Sequence, residues 1–299
     1  MTDDDRPTAA PSNAMPPVSR ENAEEFLKRN PSFCLAPWVH LHVLAEGQVT
    51  PCCESRQSLG TINRQNFDEI WNGVAMAAVR AQMLRGERVP GCQKCYDRED
   101  AGMASPRQLY NEKRGHLFDR VVDSRFDGSA PRAEPVTWDI RFSNICNYRC
   151  RSCWHGSSSR WFADGVAVGL TAGDQAIIHG VEDAAALFTQ LDSFLPHLEE
   201  VYFAGGEPLM MEEHYRLLDL LIARGRADVA LRYNTNLSLL AYKERDVLDL
   251  WNKFTNVMVS ASIDASGAHG ELMRNEQNGQ ETVEDARRFR SRSAHVRFC

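Results

Sequence analysis

Cys146, Cys150 and Cys153 place three thiols within eight residues. Soft sulfur ligands at that density can converge on one face of a cubic iron–sulfur cluster, each taking a separate iron and leaving one metal position open. With His155 as a fourth ligand, the same loop also fits a zinc site, although structural zinc usually draws its ligands as two separated pairs. Cys34, Cys52, Cys92 and Cys95 lie upstream, and taken alone they fit a four-cysteine zinc site built from a hairpin and a Cys-x2-Cys knuckle. Further on, the two glycines of Gly205-Gly206-Glu207-Pro208 permit close backbone approach, and the Glu207 carboxylate suits a ligand ammonium group. Asn234-Thr235-Asn236 and the trio Ser260, Ser262 and Asp264 complete the set, and each alone reads equally as a polar turn cap.

The elements that must position these residues follow from spacing. Residues 1 to 30 are rich in proline and small side chains, a mobile tail turning into a short helix around Ala23 to Arg29. Alternation predicts a strand over Trp38–Leu44, with Glu46-Gly47 as its turn and Gln48–Thr50 as hairpin partner, so that Cys34 and Cys52 stand at the two open ends. Asn66 reads as the cap of a helix whose apolar face is Ile70, Val74, Ala77, Ala81 and Leu84. Residues 116–135, charged and broken by Gly128, Pro131 and Pro135, read as a linker. Strands are then predicted at 136–142, 201–204, 229–233 and 257–262, alternating with helices, and 295–299 begins a fifth. That is an α/β pattern with a parallel sheet or barrel, and its polar motifs fall at the carboxyl ends of successive strands, where barrels place active sites.

Composition narrows the classes. With 34 basic and 41 acidic residues, a net charge of −7, 43% hydrophobic and 25% charged residues, the chain is neither disordered nor fibrous. The acidic balance argues against nucleic acid as a partner. Neither a secretory signal nor an apolar run long enough for a membrane span is visible, which points to the cytoplasm, where nine cysteines are metal ligands more readily than disulfides.

Taken together, the three-cysteine loop, Gly-Gly-Glu-Pro, the Asn-Thr-Asn strand end and Ser262-Ile263-Asp264 resemble the radical S-adenosylmethionine (SAM) superfamily. The resemblance implies a 4Fe-4S cluster on Cys146, Cys150 and Cys153 whose open iron holds SAM. It also places Gly205, Gly206, Glu207 and Pro208 at the methionyl amine, Ser262, Asp264 and Asn234 near the ribose or carboxylate, and Arg274 as a carboxylate partner. One position departs from the pattern: Ser152 stands where a large residue usually packs on adenine, which leaves Tyr148 or Trp154 as substitutes.

Cys34, Cys52, Cys92 and Cys95 resemble the twitch domain, the short form of the SPASM domain, which holds a second, auxiliary 4Fe-4S cluster. Spacing from Gly47 favours Cys52 over Cys53, and Cys299 has no assignment. The implied fold is a partial (β/α)6 barrel over 136–299, truncated after strand 4 or at the start of strand 5, preceded by a small α+β cluster domain over 31–115. This order inverts the usual one, in which the auxiliary domain follows the barrel. The implied function is reductive cleavage of SAM to a 5′-deoxyadenosyl radical, with an electron-transferring auxiliary cluster, an electron donor such as flavodoxin or ferredoxin, and a peptide preferred as substrate. The alternatives are a non-catalytic zinc scaffold and an inactive fragment.

Overall fold

The computed structural model describes residues 18–19, 25–27, 30–265, 267–276, 287 and 296–298. Of the expected N-terminal helix only Glu25–Leu27 falls within them, as helix. Eight strands form one sheet: β1 (His40–Val43), β2 (Gln48–Thr50), β3 (Gly60–Thr61), β4 (Thr137–Ile140), β5 (Glu200–Phe203), β6 (Ala230–Thr235), β7 (Val257–Ala261) and β8 (Val296–Phe298). Their order is β8-β7-β6-β5-β4-β1-β2-β3. Every pair from β8 through β1 is parallel, and β1-β2 and β2-β3 are antiparallel. All four barrel strands and the start of the fifth lie where the alternation predicts them.

The hairpin carrying the N-terminal cysteines is joined to the barrel edge through β1, so both cysteine groups share one sheet. The stretch over 116–135 is packed, not tethering: Leu117, Val121, Ala130 and Ala133 are buried in the common core. Because side chains alternate along a strand, register assembles one concave row. His42 stands beside Asp139, Asp139 beside Tyr202, Tyr202 beside Arg232 and Arg232 beside Met258. The opposite face, with Leu41, Trp138, Val201, Leu231 and Val257, packs into the core.

Two expectations need correction. Residues Ala36–Val39 are helical, and the strand begins only at His40, because Pro37 lies in the first helical turn with its φ preset for it. The helix capped by Asn66 has the expected capping box but ends at Trp71, and a second helix starts at Val74. The chain turns at Gly73, which caps the second helix with extended backbone and where a Cβ would sit 2.2 Å from the Glu69 carbonyl oxygen, and the helical phase resets. Val74 is consequently 88% exposed and Ala77 half-buried, while Ile70, Ala81 and Leu84 are buried as expected and Met76, Val79 and Met83 join them in the core. Among the described residues no helix is long and apolar enough to cross a membrane.

The helix Glu212–Ala223 carries one buried titrating group into the core. His214 Nε2 lies 2.9 Å from Tyr233 Oη, and burial, with Arg245 secondary, pushes its pKa down to about 3. Unfolded histidine binds its proton near 6.5, so the contribution of neutral His214 is present above that pH and lost as pH falls toward 3. By pH 4 the loss is about 3 kcal/mol. Urea unfolding of the purified chain should show an acid decline that is shallower by about this amount in His214→Gln. An equally steep decline in the variant would assign it to other groups.

Candidate cofactor and cluster site

The three-cysteine loop leaves β4 and is pinned by Asn144, whose Nδ2 donates to His155 O at 2.8 Å and Ala176 O at 3.1 Å, and whose Oδ1 accepts from Ile178 N at 2.8 Å. His155 Nε2 is engaged at 3.1 Å by the Ala176 carbonyl. Cys146 Sγ accepts from Tyr148 N at 3.5 Å and from Asn236 Nδ2 at 3.9 Å. A two-residue antiparallel ribbon pairs Arg149–Cys150 with Arg274–Asn275. It brings Arg274 Nη1 to 3.6 Å from Cys150 Sγ, while Nη2 donates to Asp264 Oδ1 at 3.1 Å. Burial pushes the Cys146 thiol up to about 11. Cys150 and Cys153 share a hydrogen bond that raises Cys150 and lowers Cys153 to about 6, so Cys153 ionises first.

Gly206 closes the turn after β5 against this loop. At φ +58°, a Cβ there would lie 2.4 Å from Ile145 O, and the next amide, Glu207 N, donates to that oxygen at 2.7 Å. Gly205, at φ +81°, lies under the Arg141 side chain, whose Cδ would be 2.9 Å from a Cβ. Gly206→Ala combines left-handed strain with a backbone clash and is expected to cost at least about 2 kcal/mol. A thermal scan showing an unchanged midpoint would refute the close-approach role of this glycine.

Glu207 is 1% exposed and turned under the turn rather than out of it. Its Oε1 accepts from Thr235 Oγ1 at 2.6 Å and Leu209 N at 3.1 Å, and its Oε2 from Asn236 N at 2.7 Å. Burial still raises its pKa, because those bonds offset only part of the desolvation. Pro208 follows at the start of a one-turn 3-10 helix. Asn236, not singled out as a site residue by sequence, joins Glu207 to the cysteine loop by reaching Cys146 Sγ and donating to Asn147 Oδ1 at 2.8 Å. Asn234 lies on the concave side, exposed, and lines a cavity there. Ser262 is held by its backbone to Thr235 O at 2.8 Å, and Asp264 has φ +57° beside Arg274. Tyr148 is buried within the loop, while Trp154 is exposed and leans over Gly156.

A cavity of about 430 Å³ opens on the concave face of the sheet. Cys34, Cys52, Cys92 and Cys95 form one wall, and Asp139, Tyr202, Asn234 and Ser260 belong to the barrel side. The four thiols feel one another electrostatically, Cys34 with Cys92 and Cys95, and Cys52 with Cys34 and Cys92. Burial raises all four, Cys34 to about 12 and Cys92 to about 11, and the Arg107 guanidinium opposes the rise at Cys34, Cys92 and Cys95. Cys53 faces Asp139 and Arg141 instead. All described cysteines are free thiols.

Comparison with known families matches this geometry. The radical SAM superfamily model covers residues 140–296, more than half of the 299-residue chain. The chain belongs to the radical SAM superfamily. A SPASM model, an iron–sulfur cluster-binding domain, matches residues 34–96, from the first auxiliary cysteine to just past the last. No curated protein matches the chain. The radical SAM domain brings a 4Fe-4S cluster and SAM, and the SPASM domain brings an additional auxiliary iron–sulfur cluster. The donor sets of this radical SAM chain fit those groups: two separate sets of soft thiols, one of three and one of four. Among the described residues, no three His, Cys, Asp or Glu side chains form a cage for a single metal ion.

Proposed function

We propose that this radical SAM protein is an enzyme that cleaves SAM at Cys146, Cys150 and Cys153 and oxidises a substrate held in the concave cavity. The observation that carries the reading is the closure of the Gly205-Gly206 turn onto the cysteine loop, through Glu207 N to Ile145 O at 2.7 Å. That closure supports a site for the cofactor's amino acid part beside the cluster loop. When bound, the cluster and SAM supply a 5′-deoxyadenosyl radical that removes a hydrogen atom from substrate.

The chain's own residues position and shield. Gly205 and Gly206 offer backbone to the methionyl ammonium, while the buried Glu207 carboxylate holds that turn and adds negative potential beneath it. Arg274, shared between Asp264 and the Cys150 thiol, receives the cofactor carboxylate, with Ser262, Asp264 and Asn234 toward the ribose. Cys34, Cys52, Cys92 and Cys95 hold the auxiliary cluster, leaving no iron open for substrate and favouring electron transfer. A peptide is the preferred substrate, and a flavodoxin- or ferredoxin-type donor would reduce the first cluster.

Anaerobic reconstitution tests the reading. About eight irons per chain, in two cubic clusters, are expected, together with 5′-deoxyadenosine under reductant. Zinc without visible absorbance, or full clusters without cofactor cleavage, would overturn it. Cys92→Ala should leave about four irons and measurable deoxyadenosine. Loss of cofactor cleavage in that variant would contradict the division of labour between the two clusters.

A further inference from the structure

Asp139 lines the cavity, and His42 lies behind it; they are 2% and 0% exposed. Thr50 has one hydroxyl proton and donates it to the carbonyl oxygen of Cys52 at 3.0 Å. Its oxygen therefore accepts Nδ1–H of His42, 2.7 Å away. That bond fixes the imidazole tautomer and leaves Nε2 with a lone pair. Nε2 has no hydrogen-bond partner and faces Asp139 Oδ2 at 3.5 Å. A lone pair opposed to a carboxylate oxygen repels it, and one proton between them turns the repulsion into a hydrogen bond. The carboxylate is otherwise held loosely, with Arg141 Nε and Nη2 each 3.4 Å away.

We propose that Asp139 and His42 are a proton-accepting pair that takes the proton lost when the substrate is oxidised beside the auxiliary cysteines. The proposal rests on the function given above and narrows the substrate to a C–H carbon bearing an O–H, S–H or N–H group. Removal of the hydrogen atom by the deoxyadenosyl radical gives 5′-deoxyadenosine and a carbon radical. The heteroatom–hydrogen bond then breaks and a carbon–heteroatom double bond forms. One electron passes to the auxiliary cluster, which is reduced, and one proton passes to Asp139, which donates it in a hydrogen bond to His42 Nε2.

Burial favours this direction of transfer, and Arg141 and His40 oppose it in part. Arg141 on β4, Tyr202 on β5, Cys53 after β2 and His40 on β1, stacked on His42 at 6.4 Å, face the pair. Burial raises the Asp139 carboxyl and pushes His42 down to about 3, so the proton rests on the carboxylate. Through Thr50 the same hydrogen-bond chain ends on the backbone of Cys52.

Proton uptake by the pair should be linked to reduction of the nearby cluster, which is measurable without substrate. An anaerobic redox titration of the reconstituted protein, followed by electron paramagnetic resonance across neutral pH, reads it. The auxiliary signal is identified by its persistence in Cys150→Ala. Its reduction equilibrium should change tenfold per pH unit, about 59 mV for one electron. In Asp139→Asn and in His42→Gln the dependence should fall close to zero with the iron content retained. A pH-independent potential in the wild type, or a slope surviving in either variant, overturns the pair. Iron analysis showing no auxiliary cluster overturns the underlying function and the pair's role with it.

Discussion

Cys150→Ala is expected to lower the iron of the reconstituted chain from about eight to about four per molecule. It should also reduce 5′-deoxyadenosine formation at least about a thousandfold, a barrier change of about 4 kcal/mol. Cys150 is the central thiol of the loop and the only one paired in register with Arg274, so its loss removes a ligand and loosens the arginine from the loop. Cys150→Ser restores size but offers a hard oxygen where soft sulfur is needed, and it should recover little iron. The contrast is Cys53→Ala: that thiol faces Asp139 and Arg141, so its removal should leave the iron content at about eight. Iron and sulfide assays with chromatography of the nucleoside decide both points. Full iron and cofactor cleavage in Cys150→Ala would remove Cys150 from the ligand set.

The parts of this chain legible in its sequence are those fixed by short-range rules. The cysteine spacings, the Asn66 capping box, the turn at Gly47 (φ +79°) and the alternation of β4 through β7 each depend on a few adjacent residues. What escaped reading depends on contacts between distant segments. The pairing of His42 with Asp139 is a register relation between strands nearly a hundred residues apart, and periodicity says only that each residue sits on a strand. The docking of β1 on β4 is of the same kind: a hairpin with both edges free fits its sequence equally well as a separate module. The break at Gly73 was hidden because one helical phase accommodates Ile70, Val74 and Ala77, and only the Glu69 carbonyl crowding reveals the stop.

Glu207 shows the limit most sharply, since its motif spacing suggests a carboxylate open to ligand and the fold instead closes it beneath the turn. Glu207→Ala is expected to cost roughly 3 to 5 kcal/mol, because Thr235 Oγ1, Leu209 N and Asn236 N all lose their acceptor inside the core. It should also release Asn236 from the turn and weaken its contact with Cys146, so iron retention after gel filtration should fall with stability. Glu207→Gln keeps one acceptor but sets an amide donor against another donor, and should cost about half as much. The two effects at this site differ in their pH dependence. Burial raises the Glu207 pKa, so the folded chain binds this proton more tightly than the unfolded chain. The resulting stability is complete below the unfolded carboxyl value and is lost as pH rises through the folded one. Glutamine does not titrate, so the wild-type lead over Glu207→Gln should widen as pH falls from neutral. A lead that narrows instead would mean that the three hydrogen bonds outweigh desolvation and hold the carboxylate as an anion.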